Sequence, residues 1–117
     1  MATAAKTILH DSAKLKVIRW TITSTDVDGD PYIFSGRYPD KSIHVFGTFG
    51  AGGAIKAQGT NEVTSPSNWY NLNDPQGAEI SITAAKIKEI LENVYQFRPY
   101  LSAGTGVTLT VILCLKG

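Results

Sequence analysis

GTFGAGGAIKAQGTNEVTSPSNWYNLNDPQG, residues Gly47 to Gly77, carries two chain-reversal signals between alternating strand patterns. In Gly50-Ala51-Gly52-Gly53 the glycines reach positive-φ backbone without steric cost, so the segment is expected as a hairpin tip. Asp74-Pro75-Gln76-Gly77 places Asp, Pro and Gly at the first, second and fourth positions that a type I turn prefers. Between them, Trp69-Tyr70-Asn71-Leu72 is a short strand. Its two adjacent rings must point to opposite faces, one into the core and the other outward or into an interface.

The same period extends outward in both directions. In Lys16 to Thr23, Ile18, Trp20 and Ile22 share one face, with Val17, Arg19, Thr21 and Thr23 opposite. Tyr32 to Ser35 is a short strand, and Ser42 to Phe49 sends Ile43, Val45 and Phe49 to one side. Tyr95 to Leu101 resumes the pattern, and Leu109, Val111, Leu113 and Leu115 form the closing face. Residues 83–93 break it. Ile87, Ile90, Leu91 and Val94 recur at helical spacing behind a capping Thr83, which predicts one short helix. The expectation is therefore an all-β protein: a β-sandwich, Ig-like or jelly-roll-like, of about seven or eight short strands with that helix across one end. An open α+β sheet is the alternative. Residues 1–13 are small and polar and are expected as a flexible N-terminal arm or a segment ordered on assembly, leaving residues 14–117 as a single domain.

The 117 residues are enough for one domain that folds without metal or disulfides. A net charge of +1 predicts no general attraction to nucleic acid or anionic membrane. No apolar run approaches a membrane-spanning length or the core of a signal peptide, so the chain is expected to be made in a cytoplasm. The single cysteine, Cys114, lies in an apolar strand and is expected as a buried, inert thiol.

Nothing in the chain assembles a reaction. Asp26, Asp28 and Asp30 open like a calcium loop, but Pro31 and Arg37 stand where an EF-hand needs Gly and Glu. They leave a weak calcium site or, as the favoured reading, a solvated acidic turn. His10 and His44 lack metal-ligand partners at useful spacing, and no nucleophile elbow occurs. Glu62, Asp74 and Glu79 all fall near turns, where two acids could converge; Asp74 already has a turn role. No cofactor is expected. An exposed ring at Tyr70 beside Asn68 and Asn71 could stack on a sugar or anchor a protein contact.

The succession GTFGAGGAIKAQGTN, NWYNLNDPQGAEI, ITAAKIKEI and QFRPYLSAGTGVTLTV resembles small virion proteins of tailed bacteriophages of the head-decoration, or capsid cement, kind. The resemblance spans about Gly47 to Val111 and does not extend before Lys41. It implies a non-enzymatic β-sandwich that binds the outside of the assembled shell, with the major capsid protein as partner, a homotrimeric state and a place on the virion surface. It brings no catalytic residues. Lys6, Lys14 and Lys16 of the arm are then the candidates for reaching a neighbouring subunit, and Tyr70 for an interface contact. A carbohydrate-binding or host-adhesion module of a tail fibre or baseplate is the alternative function, and a head–tail joining or tail-tube ring the second.

Overall fold

Alternating apolar and polar residues cannot hide their apolar half in a single layer, so two sheets close on each other with their apolar faces inward. The computed structural model describes every residue except Met1, Ser35 and Arg37, and all described side chains but those of Ala2 and Val27. The described residues form β1 (Ala2–Ala4), β2 (Lys6–Asp11), β3 (Leu15–Thr23), β4 (Asp26–Gly29), β5 (Tyr32–Ile33) and β6 (Asp40–Thr48). These are followed by β7 (Ala51–Thr60), β8 (Tyr70–Asn71), β9 (Ser81–Ile82), β10 (Lys86–Glu89), β11 (Gln96–Thr105) and β12 (Thr108–Lys116). One sheet runs β1-β4-β11-β7-β8, with β5 added to β11 and β9 to β7; the other runs β10-β6-β12-β3-β2.

Chain neighbours repeatedly change sheets. The pairs β3 and β4, β6 and β7, and β11 and β12 each have one member in either layer, while most sheet partners, β2 with β3 and β7 with β8 apart, come from distant sequence. That alternation makes the sandwich jelly-roll-like. It also alters the expected role of the glycine run: β6 and β7 lie in different sheets, so Gly50 to Gly53 turns the chain between layers and is not the tip of a hairpin. Gly50, at φ 62°, is pressed against the Thr105 and Gly106 backbone of the neighbouring sheet-changing turn, where a side chain has no room. The Asp74 turn forms as expected, with Gly77 N–H donating to the Asp74 carbonyl at 2.9 Å.

Ile18, Trp20 and Ile22 of β3, Ile43 and Val45 of β6, and Leu109, Val111, Leu113 and Leu115 of β12 are all fully buried. They meet Ile55, Ala57 and Phe97 of the opposite sheet. The rings of Trp20 and Phe97 cross at 5.8 Å, and the Trp20 indole N–H donates to the Asp30 carbonyl at 2.9 Å, satisfying its one polar atom. One inward position is charged. Lys41 continues the Ile43 and Val45 face yet is only 2% exposed, its Nζ donating to Asn93 Oδ1 and, at 3.4 Å, to the Tyr38 carbonyl. Burial pushes its pKa down.

Several expectations need correction. No residue of 83–93 is helical: Lys86 to Glu89 pair antiparallel with β6 as the edge strand β10. Of the apolar residues at helical spacing, Ile90 is buried, while Ile87 and Leu91 are exposed. Pairing with the open edge of β6 outweighs the helix preference of Ala, Lys and Glu, which is a small local bias that tertiary contacts override. The segment read as a flexible arm holds two strands, β1 pairing parallel with β4 and β2 antiparallel with β3. Asp26 to Gly29, read as loop, is the strand β4. Short edge pieces raise the strand number to twelve among the described residues. Ser35, the expected end of the Tyr32 strand, lies outside the described residues. Cys114 is half-buried on the outer face of β12, because Leu113 and Leu115 take the inward positions.

Candidate binding face

β7 and β11 turn Ile55, Ala57 and Phe97 inward, so the alternation sends Lys56, Gln58 and Arg98 to the outer face of their sheet. Register then sets them in line. Arg98 stands opposite Gln58, and Gln58 opposite Asn71. Arg98 donates from Nη1 to Asp28 Oδ2 at 2.8 Å and from Nε to Gln58 Oε1 at 2.9 Å. Gln58 Nε2 donates to Asn71 Oδ1, Asn71 Nδ2 to Glu79 Oε1, both at 3.1 Å, and Glu79 pairs with Lys56. The result is one hydrogen-bonded row across four strands and the Glu79 bridge. Trp69 closes over it, with the Arg98 guanidinium 4.4 Å from the centre of its ring.

The sheet edge beside this row is hollow. A groove of about 620 Å³ runs along β8 and is lined by Thr60, Asn61, Glu62, Asn68, Tyr70 and Glu92, among others. Acceptors on its walls hold backbone in place. Glu62 Oε1 accepts the N–H groups of Asn68 at 2.7 Å and Ser67 at 3.0 Å, and its Oε2 accepts Asn68 Nδ2 at 3.2 Å. Those bonds, the Asn68 backbone first, hold the Glu62 carboxyl below its usual range. Glu92 takes both the backbone and side-chain N–H of Asn73, at 2.8 and 2.6 Å. Tyr70 projects from this frame with 69% of its surface exposed.

Trp69 and Tyr70 do diverge, but neither ring enters the core, contrary to expectation. Trp69 is half-buried on Arg98, and Leu72 supplies the buried side chain of this segment. The other candidates are scattered. Lys6 pairs with Asp30 at 2.6 Å, and Lys16 with Asp11, so both are engaged within the chain. Lys14 is exposed and its ammonium has no partner among the described residues. Asp26 accepts the Thr23 N–H at 3.0 Å, Asp28 serves Thr3 and Arg98, and Asp30 serves Lys6. Three carboxylates with three separate sets of partners do not converge, and no group of metal-ligating residues gathers among the described residues. Glu62, Asp74 and Glu79 likewise separate, each bonded to its own neighbours. His10 is exposed, and the His44 ring packs on Phe46 at 4.9 Å.

Arg98 and Glu92 were missed. The outward alternation of Gln96, Arg98 and Tyr100 was visible, but the partner Asp28 lies 70 residues away.

No family model matches the chain, and no curated protein matches it. A solved cupin domain from Bordetella pertussis Tohama I is similar over 97% of this chain and 92% of its own, with 15% identity and a TM-score of 0.46. A likeness of that degree carries no argument about activity.

Proposed function

We propose that this protein is a non-enzymatic virion protein of a tailed bacteriophage that binds the outside of the assembled capsid and stabilises it. The observation that carries this reading is how the polar groups are used. Every buried side-chain nitrogen and oxygen among the described residues is hydrogen-bonded, and most carboxylates, Asp40 and Glu89 apart, are committed to turns, strands and cations. Such groups build a rigid frame and leave no poised base or nucleophile among the described residues. The sequence resemblance supplies the partner: the major capsid protein, engaged by a homotrimer.

Exposed apolar residues suit a contact role. Ile8 and Leu9 lie on the edge strand β2, and Ile87 and Phe46 lie on the outer side of the same sheet. A protein that binds the expanded shell better than free coat subunits stabilises that state by linkage, about 2.7 kcal/mol at a free concentration of one hundred times Kd. Trimers at threefold positions engage several contacts together, so modest single contacts suffice.

The test is to incubate the purified protein with empty expanded coat shells, sediment them, and heat the complex. Co-sedimentation with a raised shell-disruption temperature is the expected outcome. Shells that bind saturating protein yet melt unchanged, or that bind none, overturn the reading. Light scattering on the free protein checks the trimer.

A further inference from the structure

We propose that the groove beside Tyr70 is a binding site for a neutral saccharide unit, independent of whether the chain decorates a capsid. Its volume, about 620 Å³, lies within the roughly 300–1,000 Å³ of small-molecule sites. A pyranose presents an apolar C–H face and a rim of hydroxyls that each donate and accept. The groove offers a counterpart to both. Tyr70 supplies a flat apolar ring whose hydroxyl has no partner among the described residues.

The polar rim keeps capacity of both kinds. Asn61 spends its Oδ1 on the Tyr95 N–H, leaving its two amide hydrogens. Asn68 spends an amide hydrogen on Glu62, leaving its Oδ1 as an acceptor. Thr60 Oγ1 accepts the Glu62 N–H at 3.2 Å and retains its own hydrogen. The lining thus keeps spare donors and an acceptor in the same groove as one exposed ring.

Two features narrow the ligand further. The walls are fixed before anything binds, because Glu62 clamps Ser67 and Asn68 while Glu92 clamps Asn73. A preformed wall loses little conformational entropy on binding, which matters for weakly held hydroxyls. Glu62 and Glu92 also place two carboxylates on the groove, and no lysine or arginine lines it. Phosphorylated, sulfated or sialylated ligands are therefore repelled.

The test uses the intact chain and a panel of methyl glycosides of glucose, galactose, mannose and N-acetylglucosamine with their β-linked disaccharides. Sialyllactose and a lysine-rich peptide are added as charged probes. Amide NMR shifts locate binding, and calorimetry measures it. A neutral glycoside is expected to shift Asn61, Asn68 and Tyr70; Tyr70→Ala weakens it about tenfold or more (about 1.4 kcal/mol). Tyr70→Phe, which keeps the ring, stays within about threefold, and both variants melt like the parent because the side chain is exposed. The proposal is overturned if no neutral glycoside binds at tens of millimolar, or if binding maps elsewhere. It is equally overturned if Tyr70→Ala binds as well as the parent, or if only sialyllactose or the peptide binds.

Discussion

Gly29 of β4 lies against the Trp20 ring of the opposite sheet, and Gly29→Ala measures how tightly the sandwich is closed there. A Cβ built there lies 2.6 Å from Trp20 Cδ1 and 2.6 and 2.7 Å from Pro99 Cγ and Cδ. Ordinary carbon contacts are about 3.5–4.0 Å, so the neighbours must retreat by roughly 1 Å. Neither can. Trp20 is wedged against Phe97 and hydrogen-bonded to the Asp30 carbonyl, and Pro99 is a ring fixed within β11. Overpacking costs about 1–3 kcal/mol, and two rigid rings place this case near 3. Ala restricts the unfolded chain more than Gly does and returns about 0.7 kcal/mol. The net expectation is a loss of about 2 kcal/mol, or a Tm lower by roughly 10 °C for a domain of this size. Urea unfolding followed by tryptophan fluorescence measures it. Gly77→Ala is the control: φ is 85° and nothing lies within 4 Å of its Cβ, so the cost is backbone strain alone, about 1 kcal/mol. Gly29→Ala within 0.5 kcal/mol of the parent, or a costlier Gly77→Ala, refutes the close-contact reasoning.

Arg98→Met removes a charged pair whose two side chains are 18% and 20% exposed, together with the bond to Gln58 and the stack under Trp69. About 2 kcal/mol of stability should be lost, with Trp69 emission moving red; an unchanged spectrum contradicts the stack. Stability should also depend on pH at both extremes. Asp74 is held below its usual pKa by the Ala78 N–H and then by Lys88, and Glu79 by Lys56 and then Asn71. Their contribution is complete above the ordinary carboxylate pKa of about 4 and is lost as pH falls through the folded values. Asp74→Asn should therefore be less stable at pH 7 and less sensitive to acid. Lys41 shifts the same way at the other end of the scale: burial lowers its pKa, so its charged form costs stability at neutral pH and stability rises as pH climbs from the folded value towards about 10.4. Lys41→Met should abolish that rise in alkaline melts, and a persisting rise assigns it to another group.

The inward faces of β3 and β12 were legible because their central residues alternate. Ile18, Trp20 and Ile22, and Leu109 through Leu115, are buried where period two puts them. Edges were not legible. Whether Lys86 to Glu89 coils or extends is decided by the open side of β6, about forty residues away, which no local window contains. The Lys6 strand was hidden for another reason: its partner β3 follows it directly, but its own residues are mostly exposed and show no apolar alternation. In the candidate site, Tyr70 was found as an exposed ring beside asparagines. The fate of Trp69 was misjudged because the Arg98 guanidinium lies over its ring, a cover that hydropathy alone does not anticipate.

The position of β12 has a consequence for biosynthesis. This last strand is the centre of its sheet, with β3 on one side and β6 on the other. Until residues 108–116 leave the ribosome, those two strands have no common neighbour and their apolar sides stay wet. The sheet therefore closes only once that segment has emerged, through contacts of high sequence separation that form slowly. During that interval the uncovered apolar sides of β3 and β6 are an aggregation hazard.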